Sequence, residues 1–267
     1  MAEITPELVR TLRDKTNAGM MDCKKALAET QGDLEAAETL LRKKGILKAG
    51  SKADRATKEG VVHAFLGSSA GVLIEVNCET DFVAKNDNFK AFVSELAQKL
   101  AAGAASDGEE VTTLIKSKIA EMGENIVLRR VEKLDIAGSV LQAYIHLGGR
   151  VGVLLQATAP DTDAARGVLK DVCMHIAASS PRFLSRDQVD PAFIAREREI
   201  AAEQVKDKPA NIVDKIVSGK IDKIVAETCL LDQAFIKNPD ISVNDHIKSG
   251  GEIKLTRFVR YAVGEEM

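Results

Sequence analysis

The sequence feature that most constrains the fold is a weak internal repeat in the middle of the chain. Residues 60–67 form an apolar segment that runs into a turn, and residues 71–76 return as a second apolar segment. The same arrangement recurs at residues 138–146 and 151–157, so the second copy begins 78 residues after the first. Short apolar segments separated by glycine-containing turns are typical of β-hairpins. The repeat therefore predicts two related halves, each of which begins with an antiparallel hairpin.

Each hairpin is followed by a helical segment and then by another strand. Residues 89–102 and 164–179 carry helical patterns, whereas residues 125–131 and 253–260 alternate apolar with polar or basic side chains. Alternation with a period of two predicts a strand with one buried face and one solvated face. We therefore predict an α+β fold with a duplicated β-β-α-β core of antiparallel sheets, in which a helix covers the apolar face of each sheet.

The first 47 residues predict a separate module of three short helices. Thr5 is positioned to cap the first helix, and Pro6 suits its first turn. Gly32 can end the second helix, and Asp33 can cap the third. In size and pattern this module is similar to ubiquitin-associated (UBA) domains, so we predict a UBA-like module at the N-terminus.

The second copy of the repeat carries an insertion at residues 187–231, which is charged and helical in pattern. Lys208 and Pro209 predict a turn within it, and Ser218 and Gly219 predict a further break. Two helices that project from a small domain would leave an apolar stripe exposed unless a partner covers it. We therefore predict a protruding helical hairpin that mediates homodimer formation.

These segments together give the predicted domain organisation. The linker between module and core is charged and contains Gly, Ser and Ala, a composition typical of flexible connections. In chain order we predict a UBA-like module at 1–47, a linker at 48–59, a first core half at 60–137, a second core half at 138–186 and 232–264, and the hairpin at 187–231 within that second half.

Composition excludes several functional classes. The formal net charge is −3 and aromatic residues make up 4% of the chain, so neither a basic nucleic-acid surface nor a base-stacking platform is expected. The N-terminus shows no secretory signal, and no apolar run approaches the ~18 residues of a membrane span. Four widely spaced cysteines fit free thiols in a reducing cytosol better than a zinc site or disulfides. We expect a cytoplasmic protein without metal or cofactor and without direct contact with nucleic acid or membrane.

The segment after the second strand of the first hairpin is unusual in composition. Asp81 and Phe82 come directly after the strand, at the start of a connection to a helix. One interpretation is that Phe82 packs into the local core while Asp81 caps the turn. The other is that a loop presents an apolar ring beside a carboxylate. Spacing alone favours the first interpretation.

Two motifs resemble signatures of the elongation factor Ts family. Residues 12–27, LRDKTNAGMMDCKKAL, are similar to its N-terminal signature, and residues 75–85, EVNCETDFVAK, are similar to its second signature. The similarity extends through residues 174–179, MHIAAS, and the final strand, so it covers essentially the whole chain. The family architecture has an N-terminal three-helix module, a duplicated core and an inserted helical hairpin, in agreement with the organisation predicted above.

The resemblance implies a guanine-nucleotide exchange factor that is not an enzyme. Its partner would be the translation GTPase elongation factor Tu, which itself holds GDP and Mg²⁺. The segment Thr80, Asp81, Phe82 and Val83 would enter the nucleotide domain of the partner near the magnesium site. The Phe82 ring would wedge between partner side chains and disturb the metal ion and the phosphate loop, which promotes GDP release.

The resemblance also implies two further contacts with the partner. Leu12, Met20 and Met21 of the N-terminal module would pack on the same partner domain, and the region of His175 would contact another domain. The residues alone leave alternatives open. Leu12 lies on an apolar helix face and could be core, while His175 lies on an Ala-rich helix and could be a satisfied core histidine. Met20 and Met21 follow a glycine and suit an adaptable apolar surface.

The residues fit two other function classes poorly. Cys78 with Glu79 and Asp81 would suit a nucleophile beside carboxylates, but that motif contains no His, and Walker A and H-E-x-x-H patterns are absent from the sequence. A general adaptor built on the three-helix module would explain the first 45 residues and none of the rest. An exchange factor should recover one abundant GTPase in a pull-down, whereas an adaptor should recover several unrelated proteins.

Overall fold

The computed structural model describes residues 4–16, 18, 20–50, 52, 54–206 and 208–266. At the N-terminus, α1 (Pro6–Thr16), α2 (Met20–Glu29) and α3 (Leu34–Gly50) pack around a small apolar core. This arrangement fits the predicted UBA-like module.

The predicted roles of Thr5, Gly32 and Asp33 at helix ends in this module are confirmed, whereas α3 continues past Gly45, the residue predicted to end it, as far as Gly50. The Thr5 hydroxyl accepts a hydrogen bond from the Leu8 backbone N–H at 3.3 Å. The Asp33 carboxylate accepts one from the Glu35 N–H at 2.9 Å, which satisfies a free donor in the first turn of α3. Gly32 adopts a positive φ of 87° directly after α2 and donates its N–H to the Leu27 carbonyl at 2.8 Å.

The first core half is an antiparallel sheet with helices on one face. Its elements are β1 (Glu59–Leu66), β2 (Ala70–Cys78), α4 (Asp81–Lys85), α5 (Asp87–Ala101), α6 (Glu109–Met122) and β3 (Ile126–Asp135). Pairing follows the order β1-β2-β3, and apolar side chains of the sheet share one core with α5 and α6. Helix α6 was not predicted. Helix α3 packs against α6, and its end at Gly50 lies inside the segment predicted as a linker. Linker positions 51 and 53 lie outside the described residues.

The second core half repeats the arrangement and carries the insertion. Its elements are β4 (Val140–His146), β5 (Val151–Thr158), α7 (Asp163–Ser179), α8 (Pro191–Glu203), α9 (Ala210–Thr228), β6 (Ala234–Phe235), β7 (Asn238–Ser242), α10 (Val243–Lys248) and β8 (Lys254–Ala262). Pairing follows the order β4-β5-β8, and α7 and α10 cover one face of the sheet. The predicted α+β class with small antiparallel sheets is confirmed.

The prediction of one solvated face for each sheet is wrong. Val62 and Leu73 of the first sheet share an apolar cluster with Leu154 and Tyr261 of the second, so the sheets pack face to face. Gly152 permits this close approach, because a Cβ there would lie 2.4 Å from a methyl carbon of Val62. The core is therefore layered as helices, sheet, sheet and helices.

The insertion forms the predicted helical hairpin. Helices α8 and α9 pack against each other, and the predicted turn at Lys208 and Pro209 lies between them. The predicted break at Ser218 and Gly219 is wrong, because α9 passes through both residues. A single glycine costs a helix only about 1 kcal/mol, which the buried apolar neighbours in this hairpin offset. Among the described residues, no helix combines the length and apolar character that a membrane crossing requires.

Candidate partner-binding site

Phe82 lies on the surface and not in the core. Its ring is 82% exposed, the largest exposed fraction among the large apolar side chains of the described residues. The next two residues of α4 face the other way, since Val83 and Ala84 pack into the core of the first half. The interpretation that Phe82 fills the local core is therefore wrong, and α4 presents an unpartnered ring to solvent.

Asp81 places a negative charge next to this ring. Its carboxylate accepts a hydrogen bond from the Lys85 ammonium at 2.6 Å, one turn further along α4. That hydrogen bond lowers the pKa of the Asp81 carboxyl below its usual value, so the group is ionised at neutral pH. Exposed ion pairs of this kind are weak, and a partner can replace the lysine at little cost.

The turn before α4 is fastened to the connection between α6 and β3. The Glu124 carboxylate accepts hydrogen bonds from the backbone N–H groups of Glu79 at 3.1 Å and Thr80 at 3.0 Å. It also accepts one from the Thr80 hydroxyl at 2.6 Å. In return, the Glu79 carboxylate accepts the N–H of Asn125 at 2.6 Å. The sequence analysis did not identify Glu124. We call the set of Glu79, Thr80, Glu124 and Asn125 the carboxylate clamp.

The segment predicted as a linker runs along this carboxylate clamp. Asn125 donates a side-chain hydrogen bond to the Arg55 carbonyl at 2.9 Å, and the Arg55 guanidinium lies 3.5 Å from the Glu79 carboxylate. Asn77 donates to the Thr57 carbonyl at 3.3 Å. The end of the predicted linker is therefore held to the strand that leads into α4.

Cys78 is unsuited to act as a nucleophile. The side chain is buried, and its thiol donates a hydrogen bond to the Thr80 carbonyl at 3.2 Å. Burial, together with the negative charges of Glu124 and Glu59, raises the pKa of the Cys78 thiol to about 12. The thiol is therefore protonated at neutral pH, and a thiol is a poor nucleophile compared with a thiolate.

Two methionines at the start of α2 form a second exposed apolar surface. Met20 and Met21 are 59% and 64% exposed at the start of α2. They line an open groove of about 760 Å³ together with Pro6 and Arg13 of α1. Flexible, polarisable methionine side chains at a groove suit contact with a partner surface.

The structure places Leu12 and His175 in the interior, which favours the alternative that each is a core residue. Leu12 has no exposed surface and belongs to the core of the N-terminal module. His175 is also fully buried, with its Nε2 2.8 Å from the Gln233 side-chain oxygen, and its Nδ1 accepts the Ile236 N–H at 3.2 Å. Burial lowers the pKa of His175. Both side chains therefore support the surfaces around them and do not form those surfaces.

Comparisons with known proteins agree with this architecture. A family model described as Elongation factor TS matches residues 79–265 of the chain. A relative named Elongation factor Ts, from Halothermothrix orenii, is 46% identical over an alignment of 274 positions. The alignment covers 96% of this chain and 91% of the relative. The layered fold and these matches define a translation elongation factor. The chain belongs to the elongation factor Ts family, whose role is nucleotide exchange on elongation factor Tu.

Proposed function

We propose that this protein binds elongation factor Tu carrying GDP in the cytoplasm and accelerates GDP release. The exposed Phe82 ring beside the Asp81 carboxylate is the observation that supports this proposal most directly. An unpartnered ring on a short, firmly held helix suits insertion into another protein. The chain would work through contacts alone, with no catalytic group or cofactor of its own and no direct contact with nucleic acid.

The energetic requirement follows from linkage. A GTPase holds GDP and Mg²⁺ tightly because backbone N–H groups, a lysine and the metal contact the phosphates together. If binding of the factor weakens nucleotide binding by some ratio, nucleotide must weaken factor binding by the same ratio. Each ~1.4 kcal/mol of this coupling lowers nucleotide affinity about tenfold. GTP at cellular concentration then refills the emptied site.

The segment from Thr80 to Val83 would supply the coupling. Phe82 would wedge between side chains of the nucleotide domain. Its exposed ring would leave water there, and removal of apolar surface from water favours binding. Asp81 would bring a negative charge toward the metal site, where it competes with the groups that hold Mg²⁺. Together these contacts would distort the phosphate loop while the metal and nucleotide stay bound to the partner and not to this chain.

Fluorescent GDP release from purified elongation factor Tu tests the proposal. Preloaded partner is mixed with excess unlabelled GDP, with and without this protein, and the decay of the signal is followed. We expect release to accelerate with protein concentration and then to saturate. A release rate that does not depend on this protein at any concentration would overturn the proposal.

Met20 and Met21 are expected to contribute affinity and not maximal rate. Replacing both with Ser should raise the half-saturating concentration about 30-fold, since about 1 kcal/mol of apolar burial is lost from each side chain and about 2 kcal/mol from the pair. The maximal rate of GDP release should stay unchanged, because the lost contacts stabilise the complex equally before and during nucleotide release. Lys25→Ser, an exposed position on the same helix, is the control, and an equal effect there would contradict the assignment.

The inserted hairpin is proposed to mediate homodimer formation. Ile200 and Ile212 are 46% and 43% exposed on α8 and α9, so the hairpin retains apolar surface after its own helices have packed. Sedimentation velocity at micromolar concentration should show a dimer, and Ile200→Glu with Ile212→Glu should return it to a monomer. A wild-type monomer at tens of micromolar would refute this arrangement.

A further inference from the structure

We infer that Glu124 is a positioning residue for nucleotide exchange, which it serves by fixing the orientation of the helix that carries Phe82. This inference rests on the proposed function. The residue lies 42 positions from Phe82 in the chain, and its carboxylate accepts hydrogen bonds from Glu79 and Thr80. It acts through the carboxylate clamp that joins the start of α4 to the end of α6.

The Thr80 hydroxyl transmits the effect of Glu124 to α4. A hydroxyl has one hydrogen to donate, and at Thr80 it points to the Glu124 carboxylate at 2.6 Å. The oxygen lone pairs are then left to accept the N–H of Val83 at 3.3 Å, which caps the first turn of α4. Glu124 thus sets the direction of the hydroxyl, the hydroxyl sets the cap, and the cap orients a turn that contains Phe82.

Helix α4 needs such an external constraint because it is short. It spans only Asp81–Lys85, and a single turn has too few internal hydrogen bonds to be stable alone. Val83 and Ala84 anchor its inner face by packing, but apolar contacts are not directional and permit rotation of the turn. The charge-assisted hydrogen bonds of Glu124 are directional and remove that freedom.

Glu124 is itself placed by rigid elements on both sides. Gly123 ends α6 in the left-handed conformation with a φ of 78° and donates its N–H to the Ile119 carbonyl. On the other side, the half-buried Glu124 is followed by the buried Asn125 and by Ile126 at the start of β3. Strand β3 pairs with β2, whose last residue is Cys78. The carboxylate clamp therefore connects α4 to α6 and β3, whose positions are fixed by the sheet, and Phe82 projects from α4.

GDP release measured as a function of factor concentration tests the inference. Glu124→Gln should lower the maximal rate about tenfold and leave the half-saturating concentration within about twofold of wild type, since ring placement matters at the step where nucleotide leaves. Thr80→Val, which removes the hydroxyl and keeps the size, should have the same effect, whereas Thr80→Ser should restore the rate. Glu121→Gln is the matched control, because this carboxylate pairs with Lys118 at 2.8 Å on α6.

A double-mutant cycle of Glu124 and Phe82 distinguishes a positioning role of Glu124 from a general loss of stability. In a Phe82→Ala background, Glu124→Gln should change the rate by less than about twofold, since a residue that acts only through the ring has nothing left to position. An equal loss in both backgrounds, or a full maximal rate for Glu124→Gln alone, would overturn the inference. If Glu124→Gln does not fold by circular dichroism, Thr80→Val and Thr80→Ser carry the cycle.

Hydrogen exchange in the free protein distinguishes this inference from the proposed function. Peptides that cover residues 80–85 should exchange faster in Glu124→Gln than in wild type, without any partner present. Unchanged protection there would refute the positioning role even if exchange activity is confirmed. Wild-type protein that fails to accelerate GDP release would instead refute the proposed function, and the assignment of Glu124 to that reaction with it.

Discussion

Replacing Phe82 with Ala should slow GDP release from elongation factor Tu at saturating factor by about 30- to 150-fold. The ring is almost fully exposed in the free protein, so its insertion into the partner would remove the whole side chain from water. Burial of a phenylalanine side chain is worth about 2–3 kcal/mol, which corresponds to that range in rate. Release of fluorescent GDP at several factor concentrations gives the measurement.

Stability provides the internal control for this prediction. An exposed side chain contributes little to folding, so Phe82→Ala should change the free energy of unfolding by no more than about 0.5 kcal/mol. Asp81→Ala should slow release less than Phe82→Ala does, and Asp87→Ala tests whether any nearby carboxylate matters, since Asp87 is exposed and lies 3.8 Å from Lys90. Release by Phe82→Ala at the wild-type rate would remove the ring from the mechanism.

The elements that could be predicted from the sequence are those with local signals. The hairpins follow from apolar segments and glycine turns, and the caps at Thr5 and Asp33 follow from side-chain chemistry at the helix starts. Helix α6 carried comparable signals and was missed. Val111 and Ile119 are buried at helical spacing, and Gly123 marks the end of the helix. This element was within reach of sequence reasoning.

The face-to-face packing of the two sheets was harder to predict. Alternation along β3 and β8 suggests one solvated face, yet β2 is buried at every position. Its continuous apolar run through Val72, Leu73 and Ile74 is typical of a strand buried on both sides. That run indicates a second covering layer but does not identify it, since the layer comes from a distant part of the chain.

The candidate site also contains residues that the sequence indicates and others that only the structure reveals. Resemblance to the family directs attention to Asp81 and Phe82, and the structure adds the exposure of the ring. It also shows Leu12 and His175 as interior residues, a distinction that helix periodicity could not make for either. Glu124 had no local signal, because the backbone groups it binds lie 44 and 45 residues earlier in the chain.

Glu75→Gln should destabilise the protein by about 3 kcal/mol, at the low end of the cost of breaking a buried ion pair. The side chain has no exposed surface. Its carboxylate lies 3.0 Å from the Arg129 guanidinium and accepts a hydrogen bond from Arg130 at 2.6 Å. It also accepts the N–H of Gly264 at 3.3 Å, beyond β8 of the second half. The amide would leave the Arg129 guanidinium without its carboxylate partner, and Arg130 would keep only the Glu265 carboxylate at 3.8 Å.

Urea denaturation followed by circular dichroism measures the loss, with Glu132→Gln as the control. Glu132 joins the same two sheets through Arg257 at 2.7 Å, but this pair is partly solvated and should contribute no more than about 1 kcal/mol. Equal losses for the two variants would contradict the assignment of Glu75 as a buried structural charge.

Glu75 and Phe82 belong to the same sequence motif, and the structure predicts opposite defects for them. Glu75 binds the two halves of the core together from the inside, whereas Phe82 lies outside that core. Below its melting temperature, Glu75→Gln should therefore retain GDP release close to the wild-type rate while its unfolding midpoint falls. Phe82→Ala should show the reverse. A loss of release in folded Glu75→Gln would mean that the inter-sheet charge network also helps to place α4, because β2 connects the two residues directly.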